Sequence, residues 1–206
     1  MARSKSSASW MSRHLSDPFV KQAQKDGYRS RSAYKLIELN EKDRLIRPGM
    51  RILDLGAAPG GWSQVAGKLV GSKGRVLATD ILHMDGIVNV DFIQGDFTED
   101  AIVQQLFDWL DGAKFDLIIS DIAPNITGIS SADQASSIYF LELALDTVTK
   151  TLKPGASFAG KMFQGSGSDQ YLKELRKHFD KVLIRKPASS RKESREVYLV
   201  AKGFKA

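Results

Sequence analysis

Apolar residues in the middle of the chain fall into short unbroken runs that alternate with longer stretches at helical spacing. The runs Arg51–Leu55, Arg75–Asp80, Val90–Gln94, Phe115–Ser120 and Ser157–Met162 predict strands, and Lys181–Arg185 and Glu196–Ala201 predict two more. Between them, 3.6-residue periodicity predicts helices over Gly61–Leu69, Ala101–Leu110, Gln134–Leu152 and Gln170–His178. Ahead of the first strand, Ala33, Leu36, Ile37 and Asn40 share helical spacing within Arg31–Glu41, with Lys35 on another face, before Pro48-Gly49 breaks the chain. This alternation predicts an α/β fold: a mainly parallel seven-stranded sheet with helices on both faces. No helical pattern separates the last two strands, so Lys186–Arg195 is expected to be a hairpin-type connection and the final strand antiparallel.

A length of 206 residues suits one domain over residues 1–206, and 42% hydrophobic with 26% charged residues is an ordinary globular balance. Met1–Ser9, rich in Ser, Arg and Lys, is expected to be disordered and lacks the apolar segment of a secretory signal. No apolar run reaches membrane-spanning length, so no membrane association is expected. The absence of cysteine excludes disulfides and thiolate metal sites, and points to the cytoplasm. His14, His83 and His178 are too scattered to form a metal-ligand pair, so no metal is expected. Charge is unevenly distributed: net +6 over residues 1–50, −8 over 51–150 and +8 over 151–206. Two basic ends around an acidic middle suggest that the ends meet on one face and hold a polyanion.

The acidic middle has its own chemistry. The strand ending at Leu55 runs into Gly56-Ala-Ala-Pro-Gly60-Gly61-Trp62 and then a helix, a corner where glycines let a ligand approach the backbone closely. In open α/β sheets ligands sit beyond the carboxyl ends of the strands. Those ends carry Asp54, Asp80, Asp96, Asp121 and Lys161, and four carboxylates suit a ligand with hydroxyls, amines or positive charge better than a pyrophosphate. The turn also departs from G-x-G-x-x-G, and the Walker pattern is absent. Asp80 is placed to accept from ribose hydroxyls, and Asp96 from an exocyclic amine.

Asp54-Leu-Gly-Ala-Ala-Pro-Gly-Gly-Trp-Ser-Gln resembles the S-adenosylmethionine motif of the FtsJ/RrmJ family of RNA ribose 2′-O-methyltransferases. The similarity extends to Arg29-Ser-Arg-Ser-Ala-Tyr-Lys35-Leu, Asp121-Ile-Ala-Pro-Asn, Lys161-Met-Phe-Gln-Gly, and Arg185-Lys-Pro-Ala-Ser-Ser-Arg through Ser194-Arg-Glu196-Val-Tyr. It implies a Rossmann-like methyltransferase fold with S-adenosylmethionine at Gly60, Trp62, Asp80, Asp96 and Asp121. It further implies a catalytic tetrad of Lys35, Asp121, Lys161 and Glu196, with Lys161 as general base. The bacterial branch of the family acts on a uridine of 23S ribosomal RNA in the 50S particle, which is the partner expected here, with the chain acting as a monomer.

Electrostatics qualifies the role of Lys161. A unit charge at ~4 Å and an effective dielectric of ~20 is worth roughly 4 kcal/mol, so Lys35 alone could bring a lysine near neutrality, whereas Asp121 and Glu196 oppose this. A neutral Lys161 therefore requires burial or a tight Lys35–Asp121 pair; otherwise it orients the hydroxyl while the proton leaves late. Around the pocket, Arg29, Arg31 and Lys35 on one side and Lys186, Arg191, Lys192 and Arg195 on the other are expected to hold RNA phosphates, within a basic extension over residues 10–47 and the last loop. Three other readings compete: an RNA base N-methyltransferase, since Asp121-Ile-Ala-Pro-Asn is similar to Asp-Pro-Pro-Tyr; a non-catalytic ribosome assembly factor; and a nicotinamide-dependent dehydrogenase.

Overall fold

The computed structural model describes residues 17–123, 130–191 and 194–206. Met1–Ser9, His14, Pro124, Asn125 and Lys192, on which the sequence raised expectations, lie outside them. In chain order the elements are α1 (Pro18–Lys25), α2 (Ala33–Asp43), β1 (Arg51–Leu55), α3 (Gly61–Val70), a 3-10 turn (Gly71–Lys73), β2 (Arg75–Asp80), β3 (Val90–Gln94) and α4 (Asp100–Leu110). Then follow β4 (Phe115–Ser120), α5 (Ser130–Thr151), β5 (Leu152–Phe163), α6 (Ser168–His178), β6 (Phe179–Arg185) and β7 (Glu196–Phe204).

All seven strands join one sheet in the order β3-β2-β1-β4-β5-β7-β6. Strands β1 to β5 pair in parallel, while β7 lies antiparallel between β5 and β6. The reversed final strand matches the expectation from the missing helix. Along β1 the side chains alternate between faces. Ile52 joins Leu36, Leu39, Trp62, Val65, Val76 and Tyr198 in the layer under α2 and α3. Leu53 and Leu55 join Leu77, Leu106, Phe115, Phe158 and Leu175 in the layer under α4, α5 and α6. With both faces covered, β4 and the inner half of β5 are buried along nearly their whole length, which explains their unbroken apolar runs.

Helix α1 is missing from the sequence expectation. It is short and buries only Val20 and Ala23, too few apolar positions to show a period. Its start was nonetheless signalled: Asp17 caps the helix by accepting from the Phe19 amide at 3.0 Å, and Pro18 occupies the first turn. α5 begins four residues before its expected start and β5 five before its own, because a capless periodic pattern marks element boundaries poorly.

Candidate active site

Beyond the carboxyl ends of β1, β2 and β4 lies a cavity of about 420 Å³ lined by Gly56, Asp80, Asp96, Phe97, Asp121 and Phe140, among others. Gly56 has φ +68°, and a Cβ there would overlap the Ile122 side chain. Gly60, at the N-terminus of α3, has φ +105°; its Cβ would come within 2.7 Å of Ile87 Cδ1 and 2.9 Å of Met84 Sδ. Both positions require glycine for conformation, and Gly56 requires it for space as well. Asp80 accepts from the amides of Ala58 at 2.9 Å and Leu82 at 2.8 Å, one on each oxygen, so its carboxylate is held rigidly at the rim. Asp96 accepts from the Thr98 amide and hydroxyl on the same oxygen, Oδ1, which leaves Oδ2 available. Ile81, Leu82, Phe97 and Phe140 add apolar wall suited to a flat ring.

Trp62 occupies a different place. Its indole is buried, donates from Nε1 to the Ser32 carbonyl at 2.9 Å and packs on Tyr198 with ring centroids 5.6 Å apart. What it offers a ligand is its backbone N–H in the first turn of α3, which needs no intrahelical acceptor. Asp54 lies beneath the corner, wholly buried, with Oδ2 accepting from the Ser63 hydroxyl at 2.6 Å and Oδ1 without a partner among the described residues. Burial pushes its carboxyl up to about 7; the Ser63 hydroxyl opposes this, and the nearby Asp121 and Asp80 charges add to it.

The four residues of the implied tetrad come together. Lys161 Nζ donates to the Asp121 carbonyl at 2.6 Å and lies 3.1 Å from Asp121 Oδ1, while Lys35 Nζ lies 2.6 Å from Glu196 Oε1. The sheet register dictates this. Ser120 stands opposite Gly160 and Lys161 opposite Tyr198, so the residue that follows β4 falls beside Lys161, and Glu196 falls two positions along β7. Lys35 reaches the cluster from α2, where it is buried although its neighbours on that helix suggested a separate, solvated face. The Lys35–Asp121 pair entertained from the sequence does not form, because Glu196 lies closer to Lys35 and Lys161 already holds Asp121.

Tyr198, between the two pairs, was not singled out by sequence reasoning. Its hydroxyl donates to Asp121 Oδ1 at 2.6 Å and lies 3.3 Å from Glu196 Oε1, and Lys35 Nζ sits 5.4 Å from its ring centroid. The signal was present in the spacing, since Tyr198 shares a strand face with Glu196 two residues away. Burial alone would raise the Asp121 carboxyl, but Lys161, Lys35 and the Tyr198 hydroxyl together hold it below the ordinary range. Burial, with Asp121 and Glu196 beside it, pushes the Tyr198 phenol far up, so it stays a donor at every physiological pH.

Of the basic residues expected to hold phosphate, those described have partners within the fold, while Lys192 lies outside the described residues. Arg29 donates to the carbonyls of Asp85 at 2.7 Å, Gly86 at 2.9 Å and Pro59 at 3.3 Å, so it ties the segment ahead of α2 to the glycine corner and to the loop after β2. Arg31 contacts the Asp17 carboxylate and the Ser189 carbonyl. Lys186 donates to the carbonyls of Ser194 at 2.5 Å and Glu196 at 2.7 Å. Arg191 lies 3.5 Å from Asp17 Oδ2 with 39% of its side chain exposed, and Arg195 also has a partner. Glu38 completes the fastening by accepting from the amides of Ala188 at 2.5 Å and Ser189 at 3.0 Å. The two basic ends therefore do meet, as the charge pattern suggested, and are bolted together beside the cluster. Among the described residues, no group of three or more His, Asp or Glu could hold a metal, and no helix is long and apolar enough to cross a membrane.

Comparison with known proteins places these features in context. Residues 28–204 match the family described as FtsJ-like methyltransferase. The chain is 68% identical over 205 residues to a protein of Stutzerimonas stutzeri named ribosomal RNA large subunit methyltransferase E, with all of both chains covered. It is 56% identical to the protein of that name from Pseudomonas aeruginosa, covering all of this chain and 99% of the other. Among solved structures, a putative ribosomal RNA methyltransferase from Plasmodium falciparum superposes with a TM-score of 0.78 at 34% identity, over 86% of this chain and 98% of that one. A SAM-dependent O-methyltransferase from Thermotoga maritima, 17% identical with a TM-score of 0.56 over 84% of this chain and 65% of its own, shares the fold.

Proposed function

The chain belongs to the FtsJ-like methyltransferase family, and on that footing we propose that it transfers a methyl group from S-adenosylmethionine to the ribose 2′-hydroxyl of a uridine in 23S ribosomal RNA within the 50S subunit. It acts as a monomer in the cytoplasm. The observation that carries this reading is that Asp121 both lines the cavity at the glycine corner and is the carboxylate bonded to Lys161. One residue thus joins a pocket for the methyl donor to a cluster able to handle a hydroxyl.

The residues at the cavity fit S-adenosylmethionine: Asp80 for ribose hydroxyls, Asp96 Oδ2 for an exocyclic amine, apolar walls for a purine, and Asp121 for a positively charged amino acid moiety. That cofactor supplies a methyl group on a positively charged sulfur, open to attack by a correctly aligned oxygen. Alignment and removal of one proton remain for the protein. Lys161 Nζ has two of its tetrahedral directions committed to Asp121, one to the backbone carbonyl and one to the side chain. A single direction is left for the acceptor. In the amine form both N–H groups are used on Asp121 and the lone pair accepts the 2′-OH proton; in the ammonium form the third N–H fixes the oxygen and the 2′-OH proton passes to water as the methyl transfer is completed. Lys35 holds Glu196, and Tyr198 bridges both pairs, so the geometry of Lys161 is fixed before substrate arrives.

The test is methylation with labelled S-adenosylmethionine of 23S rRNA, 50S subunits and whole ribosomes, followed by digestion to nucleosides and mapping. Label on a uridine ribose is expected; label on a base overturns the reading. Lys161→Arg is expected to lower kcat at least ~100-fold with cofactor affinity unchanged, and a rate near wild type would remove Lys161 from the role of base.

A further inference from the structure

The edge of the sheet opposite the catalytic cluster, where the parallel strands begin, holds a second concentration of charge. An open basin of about 590 Å³ there is lined by Arg51, Lys73, Arg75, Lys114 and Lys153, with Asp116 as the acid among them. The five cations come from separate places: the starts of β1, β2 and β5, the 3-10 turn, and the residue ahead of β4. Residues 51–150 are strongly acidic overall and carry six Lys/Arg, of which four face this one basin. Arg51 and Arg75 are direct partners in the β1–β2 register, and like charges facing each other across strands are destabilising.

Internal pairing does not neutralise the basin. Asp116 accepts from the Arg51 backbone amide at 3.0 Å and from Lys153 at 3.4 Å. Arg75 is bonded to Asp91 at 2.9 Å and lies over Trp109 at 4.4 Å. Lys114 donates to the Lys150 carbonyl, which carries no charge. Among the described residues, Arg51, Lys73 and Lys114 have no carboxylate partner, so positive charge is in surplus and exposed to the surroundings. The character of the rim selects the occupant. Arg75 covers the face of Trp109, so a nucleobase has no ring to stack on, and Gly49, Gly112 and Ala113 give a protein partner no apolar anchor. A small anion would need converging, buried donors, whereas the Arg75 and Lys153 side chains are 55% and 61% exposed.

We propose that this basin is a second RNA-binding surface that engages the phosphodiester backbone of folded ribosomal RNA, away from the methylated nucleotide. It rests on the ribosomal RNA reading above. From Arg51 to Leu55 alone the strand runs ~13 Å, so a short RNA bound at the catalytic edge does not reach it, and a large folded RNA does. Such contacts position without reading sequence.

The test uses full-length protein with Lys73→Glu, Lys114→Glu and Lys153→Glu combined, and a milder Lys73→Gln/Lys153→Gln protein that leaves every bond to a backbone group in place. Binding to deproteinised 23S rRNA and to 50S subunits is measured across a potassium chloride series, with cofactor affinity and kcat at saturating 50S alongside. Affinity for both RNAs is expected to fall at least tenfold in the triple variant and by a smaller factor in the double. The slope of log K against log salt is expected to fall in magnitude by about two in the triple variant. Cofactor affinity and kcat are expected to stay within twofold of wild type. Unchanged affinity and slope in both variants overturn the proposal. Loss on 50S alone, with bare rRNA bound normally, also overturns it and assigns the basin to an acidic protein surface. If wild-type protein binds rRNA through the basin but methylates no ribose, the function proposed above fails while this surface stands.

Discussion

Replacing Tyr198 by Phe removes one oxygen from the centre of the Lys35–Asp121–Lys161–Glu196 cluster and little else. The ring remains, so the contact with Trp62 and the position of Lys35 over the ring face are retained. What disappears is a part-buried 2.6 Å bond to the Asp121 carboxylate and a longer approach to Glu196. A hydrogen bond to a charged group contributes about 1.5–3 kcal/mol, and each kcal/mol moves the melting temperature of a domain this size by roughly 2–4 °C. A loss of about 2 kcal/mol, or roughly 4–8 °C, is therefore expected in thermal or urea unfolding at pH 7. The pH dependence is more diagnostic. Asp121 is held below its ordinary range in the fold, so it stabilises the protein above the unfolded carboxyl pKa of ~3.9 and ceases to do so as pH falls through its folded value. Without the phenol that hold weakens, so the gap between the two proteins is full from about pH 5 upward and narrows in acid, where Asp121 is protonated in both. Turnover falls by less than about tenfold, because each carboxylate keeps its lysine. A melting difference below about 1 °C at neutral pH, or one that persists unchanged into acid, would refute the reasoning.

Three further outcomes follow from the geometry. Asp54 binds its proton more tightly in the fold than in the unfolded chain, so wild-type stability declines as pH rises from ~3.9 towards about 7, by as much as ~4 kcal/mol; Asp54→Asn removes that slope and melts higher than wild type at pH 8. Gly56→Ala puts a methyl group into Ile122 at φ +68° and is expected to weaken S-adenosylmethionine binding at least tenfold by calorimetry, leaving RNA affinity unchanged. Arg29→Ala frees the loop after β2 from the glycine corner and is expected to weaken cofactor binding about tenfold while changing 50S affinity less than twofold; the reverse pattern would return Arg29 to phosphate binding.

The sequence was most informative where one residue answers to one local rule. The ends of β1, β2, β3 and β4 fell where the apolar runs stopped, and three of the four acids there, Asp80, Asp96 and Asp121, line the cavity while Asp54 is buried beneath it. It was least informative where the determining contact joins distant segments. Glu38 reaches amides 150 residues away, and Asp43 receives Arg185 across 142 residues, at distances no periodicity encodes. The pairing within the cluster stayed open in the sequence for the same reason: only the β5–β7 register determines which acid each lysine meets. Arg29 and Lys186 show the limit of charge counting, since a cation surrounded by backbone carbonyls is indistinguishable in sequence from one facing solvent.

The insertion of β7 between β5 and β6 has a consequence for how the molecule is made. Among the described residues, β6 pairs with β7 alone, so until residues 196–204 have left the synthesising ribosome, β6 lacks that partner strand and Asp121 and Lys35 lack Tyr198 and Glu196. Closure of the sheet and completion of the Lys35–Asp121–Lys161–Glu196 cluster are therefore one event. A nascent chain paused before β7 carries the glycine corner without the completed cluster, and loss of β7 removes the sheet's last pairing and the cluster together.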